Sequence, residues 1–134
     1  VAITPSCGVV SPSGAIILGI VVALICLWAV NGLKKALKYD DSLDVFGVHC
    51  VGGIVGALSC AILGYKGLGG VGAFESMGAQ LGIQATAVGI TLLWSGVVSA
   101  IAFLLIKVTI GLRPTEDIER EGLDVSEHGE RAYD

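Results

Sequence analysis

Charge is what this sequence has least of. Of its 134 residues 15% are charged and 54% apolar, and the mean hydropathy is +0.83. A soluble domain carries about a quarter charged residues. A body this apolar has too little polar surface to cover itself, so a soluble enzyme is not expected. The eight basic residues form no face or stripe, which excludes a nucleic-acid partner. The four cysteines, Cys7, Cys26, Cys50 and Cys60, have no CxxC spacing, so zinc and disulfide readings lack support and the thiols read as small hydrophobes. Cys50 next to His49 is not a nucleophile–base pair, because adjacent helical residues point about 100° apart. No nucleophile–base–acid set is in reach, and nothing calls for a cofactor or a metal. Methionine occurs once, at Met77, and the chain opens Val1-Ala2-Ile3-Thr4-Pro5. With no basic n-region and no small-residue cleavage site this is not a signal peptide, and a piece of a longer chain is the expectation.

What is present is a set of long uncharged runs. Residues 1–33 carry no charge, 45–65 none beside the titratable His49, and 76–106 none. About 20 apolar helical residues cross a hydrocarbon core of about 30 Å, and each run is long enough. Pro5 and Pro12 break the first, so residues 1–12 read as the end of a preceding element and a loop. A helix is expected over 13–33, a loop over 34–43, and a second helix over 44–64. A glycine-rich, irregular loop over 65–82 and a long third helix over 83–112 follow.

Lys34, Lys35 and Lys38 follow the first span and Lys107 and Arg113 the third, whereas Lys66 stands alone between the second and third. The positive-inside rule then places the first loop and the C-terminus in the cytoplasm. The formal charge of −4 is uneven, since the last 22 positions account for −5 of it. The expected class is an all-α membrane protein of three spans with an acidic tail. Gly52, Gly53 and Gly56 in span two, and Gly89, Ser95, Gly96 and Ser99 in span three, permit close helix approach. Three helices alone offer little to pack against, so a larger bundle or an oligomer is implied. Trp28 and Trp94 read as lipid-facing or packing aromatics.

His49 is the candidate with chemistry. An ionisable side chain inside a membrane span is costly and marks a pathway or relay. The plainer alternative is a neutral imidazole that bonds a neighbouring helix and packs. Counted from Asp44 it lies only about one and a half turns into its helix, and deeper if residues 40–44 themselves dip into a cavity, as broken helices in transporters do. Asp41 and Asp44 are readable as helix caps, or as a cation-attracting cytoplasmic vestibule. The tail, 113–134, is readable as a solvated acidic end or as a segment that docks on the cytoplasmic face, because Pro114, Gly122, Leu123 and Val125 punctuate it.

Asp44-Val45-Phe46-Gly47-Val48-His49 with Gly52-Gly53-Ile54-Val55-Gly56 resembles a signature of the ammonium transporter family, in its Amt branch. So do Ala2-Ile3-Thr4-Pro5, Trp94-Ser95-Gly96-Val97-Val98, and the tail's Glu119-Arg120-Glu121-Gly122-Leu123-Asp124 with His128-Gly129-Glu130. The resemblance covers essentially the whole chain, in order, and corresponds to the last third of such a transporter. It implies an eleven-helix subunit in a homotrimer, of which this chain supplies helices nine to eleven and a regulatory tail. It places His49 on the second of two pore histidines, midway through the membrane, and Val45 on its cytoplasmic side in the pore wall. Asp41 and Asp44 fall on acidic vestibule positions. Gly122, Leu123, Asp124, His128, Gly129 and Glu130 fall in the regulatory tail motif, which implies a PII-family signalling partner. The implied substrate is ammonium or ammonia, conducted across the lipid bilayer. Cys50 departs from the family's usual glycine. The rival reading is a non-conducting assembly or ammonium-sensing subunit.

Overall fold

The computed structural model describes residues 1–131; the end of the expected tail, 132–134, lies outside the described residues. Helices are the only regular elements among them. Three, α1 (Pro12–Leu37), α2 (Phe46–Leu63) and α3 (Met77–Thr109), are long and apolar enough to cross a membrane. Two short helices, α4 (Glu116–Glu121) and α5 (Leu123–Ser126), lie in the tail. The chain divides into two units, one ending at Leu92 and the other beginning at Leu93.

In the first unit α1 starts where its chemistry directs. The Ser11 hydroxyl accepts from the Gly14 amide at 3.2 Å, and Pro12 takes the first helical position, where no N–H is required. The helix does not stop at Leu33, where the uncharged run ends. It continues to Leu37 through a π-helical stretch, Ala29–Leu33, and ends at Lys38 in the left-handed conformation with φ 53°. Lys34 and Lys35 are therefore helical, and the loop expected over 34–43 shrinks to the segment from Lys38 to Asp44. Good helix formers and a cation-favouring C-terminus explain the extension.

α2 runs antiparallel beside α1, and glycine sets how closely. A Cβ on Gly47 would meet Val30 Cγ2 at 2.9 Å, one on Gly52 would meet Cys26 Sγ at 3.2 Å, and one on Gly14 would meet Leu63 Cβ at 3.8 Å. A second π stretch, Phe46–Val51, opens α2 and packs against that of α1. Gly56 faces the chain's own beginning, where a Cβ would meet Ala2 Cα at 2.7 Å. Ser6 is fully buried there; its hydroxyl donates to Gly56 O at 3.3 Å, and the Cys60 thiol donates to Pro5 O at 2.9 Å. The buried apolar residues among those described are Ala2, Leu18, Ala29, Cys60 and Ala61.

The glycine-rich segment between α2 and Met77 is irregular apart from one short turn, and it is tied down by backbone bonds. A 3-10 turn at Lys66–Leu68 closes on Gly69 with φ 85°; Gly72 N donates to Gly64 O at 2.8 Å and Val71 N to Val9 O at 2.9 Å. The helix expected from Ile83 begins at Met77, because Ser76 caps it: its Oγ accepts from Ala79 N at 3.3 Å. Within the first unit Met77, Gln80, Gln84 and Val88 are the half-buried residues of α3, spaced three and four apart on one face. α3 also ends three residues before the expected Leu112, at Thr109, ahead of Gly111 with φ 84°.

The second unit is the remainder of α3 and the tail. No α3 residue is buried, and Leu93, Trp94, Ile101, Phe103, Leu104 and Leu105 all stand exposed. A Cβ on Gly89 or on Gly96 would meet nothing within 4 Å, so these small residues of span three are unpartnered among the described residues. An apolar surface of this extent is a lipid or partner surface.

Candidate functional site

His49 lies in the π stretch that opens α2, and its imidazole is exposed. It makes no hydrogen bond among the described residues. Short π-helical turns are uncommon and occur frequently at functional sites, since the wider turn re-aims side chains. Val45, half exposed, is four residues earlier on the same helix side as His49. The Cys50 thiol is half-buried, and Cys26 Sγ donates weakly to Val48 O at 3.9 Å.

The two aspartates differ in role. Asp41 carries the cap: its Oδ1 accepts from Val45 N at 2.9 Å and its Oδ2 from Phe46 N at 2.8 Å. These are amide groups that a helix start leaves without partners. Asp44, with φ 56°, has its Oδ1 2.7 Å from Lys34 Nζ, and Lys34 Nζ also donates to Asp41 O. Tyr39 and Phe46 meet edge to face at 5.3 Å beside this cluster. Both carboxylates are thus engaged within the chain, Asp41 as a cap and Asp44 in an ion pair with Lys34. In the sequence Lys34 reads only as a topological charge. The signal for its further role is weak there, since an irregular loop separates Lys34 from both aspartates.

The tail motif takes a defined shape. Gly122 stands between α4 and α5 at φ 105°, ψ 131°, a backbone region available essentially to glycine. Ser126 Oγ donates to Gly122 O at 2.8 Å, and Glu130 N donates to Asp124 O at 2.9 Å. Leu123, His128, Gly129 and Glu130 are exposed, and Asp124 is half-buried. Arg113 grips Glu119 with two bonds, Nε to Oε1 at 2.8 Å and Nη2 to Oε2 at 3.1 Å. This guanidinium holds the Glu119 carboxyl below the ordinary value of 4.5. An open groove of about 650 Å3 is lined by Arg113, Pro114, Glu116, Glu119 and Arg120. The structure gathers Asp41, Asp44, Val45 and His49 around one helix start, while the tail residues belong to the other unit.

Three membrane-length apolar helices, one opening on a capped turn with an ionisable imidazole, define a polytopic helical membrane protein. Comparison with known proteins narrows the class. Residues 1–133 match the model of the Ammonium Transporter Family, and the chain belongs to that family. It is 45% identical over 143 positions to a protein of Mycobacterium tuberculosis named "Ammonium transporter", covering 100% of this chain and 30% of that protein. Proteins of the same name from Aquifex aeolicus and Bacillus subtilis are 40% and 36% identical, with 99% of this chain covered in each case. The chain spans about a third of the length of these curated relatives.

Proposed function

We propose that this chain forms the C-terminal part of an ammonium transporter, and that His49 lines the path by which ammonia crosses the membrane. The observation that carries the reading is the imidazole itself: ionisable, exposed, and without a hydrogen-bond partner among the described residues, on a membrane-length helix. Neighbouring contacts support its depth. Gly47 packs against Val30 and Gly52 against Cys26, so His49 is level with the α1 segment between Cys26 and Val30. That α1 segment, Cys26 to Val30, is about 21 to 27 Å along the helix axis from Pro12, inside a hydrocarbon core of about 30 Å and toward its far side. α2 begins level with Val30, near that far side, and Asp41 satisfies two of its first amides inside the protein.

The chemistry follows from solvation. An ammonium ion holds its water tightly, and an apolar channel cannot replace that shell, so desolvation favours release of a proton. The remaining ammonia needs a weak polar guide. An imidazole paired with a second one offers both a donor and an acceptor, and such a pair can relay the proton. His49 supplies one member, with Val45 as an apolar wall on its cytoplasmic side. The subunits assemble as a homotrimer with the C-terminus in the cytoplasm, and the tail, built on Gly122, Leu123, Asp124, His128, Gly129 and Glu130, couples the pore to a PII-family protein. In the complete protein His49→Ala abolishes or severely impairs coupled ammonium uptake by cells. Wild-type uptake by the correctly inserted variant would sink the reading.

A further inference from the structure

We infer that Lys34 is a positioning residue for His49, acting through Asp44 and Asp41 to fix where α2 begins and so which way the imidazole points. The inference rests on the proposed pathway and adds a residue to it. Each link is a short contact. Lys34 sits in the last turns of α1 and spans the loop, with Nζ donating to Asp41 O and, at 2.7 Å, to Asp44 Oδ1. Both side chains of the ion pair are partly shielded, at 29% and 34% exposure.

Asp44 is a non-glycine residue in the left-handed region, at φ 56°. Such a conformation persists when surrounding contacts hold it, and Lys34 supplies the ionic one. Asp41, held through its own carbonyl by the same ammonium group, presents its carboxylate to Val45 N and Phe46 N. The first backbone bond of the helix, Val48 N to Asp44 O at 2.9 Å, follows directly. Gly47 is then pressed against Val30 Cγ2 and Val30 N, which leaves the π turn little room to rotate. His49 is two residues beyond Gly47. In this wide turn a slip of the helix by one residue turns the imidazole by roughly a quarter of a turn and takes it off the pathway.

The test uses the complete transporter reconstituted in vesicles, with methylammonium as the probe and initial rates normalised to folded protein. Lys34→Met keeps the aliphatic stem and removes the ammonium group. A mispositioned imidazole lowers the maximal rate about tenfold and moves the half-saturating concentration little. Lys34→Arg, which retains a cation with several donors, recovers most of the rate. A merely structural role would reduce the amount of folded protein and leave the rate per folded molecule at the wild-type value, and that result overturns the inference. If Lys34→Met does not fold, Asp44→Asn decides, since it keeps the Lys34 bond to Asp41 O; a lowered maximal rate supports the inference and a wild-type rate overturns it. His49→Ala run in parallel separates the two claims. A dead His49→Ala beside a wild-type Lys34→Met removes the positioning role alone, whereas a fully active His49→Ala removes the pathway reading and the inference with it.

Discussion

Replacing Gly56 with alanine should destabilise the protein, although the same change stabilises most mid-helix positions. Alanine is favoured over glycine in a helix interior by about 1 kcal/mol, because glycine loses more backbone entropy on folding. At Gly56 the new Cβ would meet Ala2 Cα at 2.7 Å and Ala2 C at 2.8 Å, and these are backbone atoms that cannot rotate away. The segment from Ala2 to Ser6 must move outward instead. Overpacking of this kind costs about 1–3 kcal/mol. The shift also strains the Ser6 bond to Gly56 O, worth about 1 kcal/mol, and the weaker thiol bond from Cys60 to Pro5 O. The net effect is a loss of about 2 kcal/mol once the helical gain is subtracted. Thermal unfolding of the complete protein in detergent, followed by circular dichroism, measures it as a Tm lowered by several degrees. A Tm equal to or above that of the wild type would show that the N-terminal segment does not sit on α2 as described.

Two further predictions concern the tail. Arg113 depresses the Glu119 carboxyl, so their bridge is complete above the ordinary carboxylate value of 4.5 and is lost as pH falls through the lower folded value. Arg113→Ala should return Glu119 to ordinary titration, read by carbon-13 NMR of its carboxyl; an unshifted titration would contradict the pairing. Deleting residues 114–134 from the complete protein should abolish binding of a PII-family protein and change the transport rate, measured by co-purification and uptake. Unaltered binding and transport would argue that the tail is only a solvated end.

Much of the fold is legible in the sequence because bilayer thickness imposes long uncharged runs, and these cannot be mistaken for short soluble elements. The ends of the runs are harder to read. Lys34 and Lys35 look like loop because charge marks a membrane boundary, but charge does not end a helix, and α1 continues to Leu37. Hydropathy alone starts α3 too late, since it is blind to Ser76, whose cap begins the helix at Met77. Composition makes the glycine-rich loop look irregular, which it is apart from the Lys66–Leu68 turn, but composition does not show that Gly72 reaches back to Gly64. At the site, His49 stands out as the ionisable group in an apolar run. The division of labour between Asp41 and Asp44 does not, because it depends on a left-handed residue and a lysine reaching across a loop, neither of which has a period in sequence.

The central claim is that His49 lines the conducting path, and ammonium-evoked current across reconstituted membranes tests it most directly. Complete wild-type protein and His49→Ala, matched for folded protein and oligomeric state, should differ plainly: a current that saturates with ammonium for the first, and a current lost or uncoupled from ammonium for the second. An ammonium-evoked current of wild-type size and saturation from the folded His49→Ala protein would contradict the account.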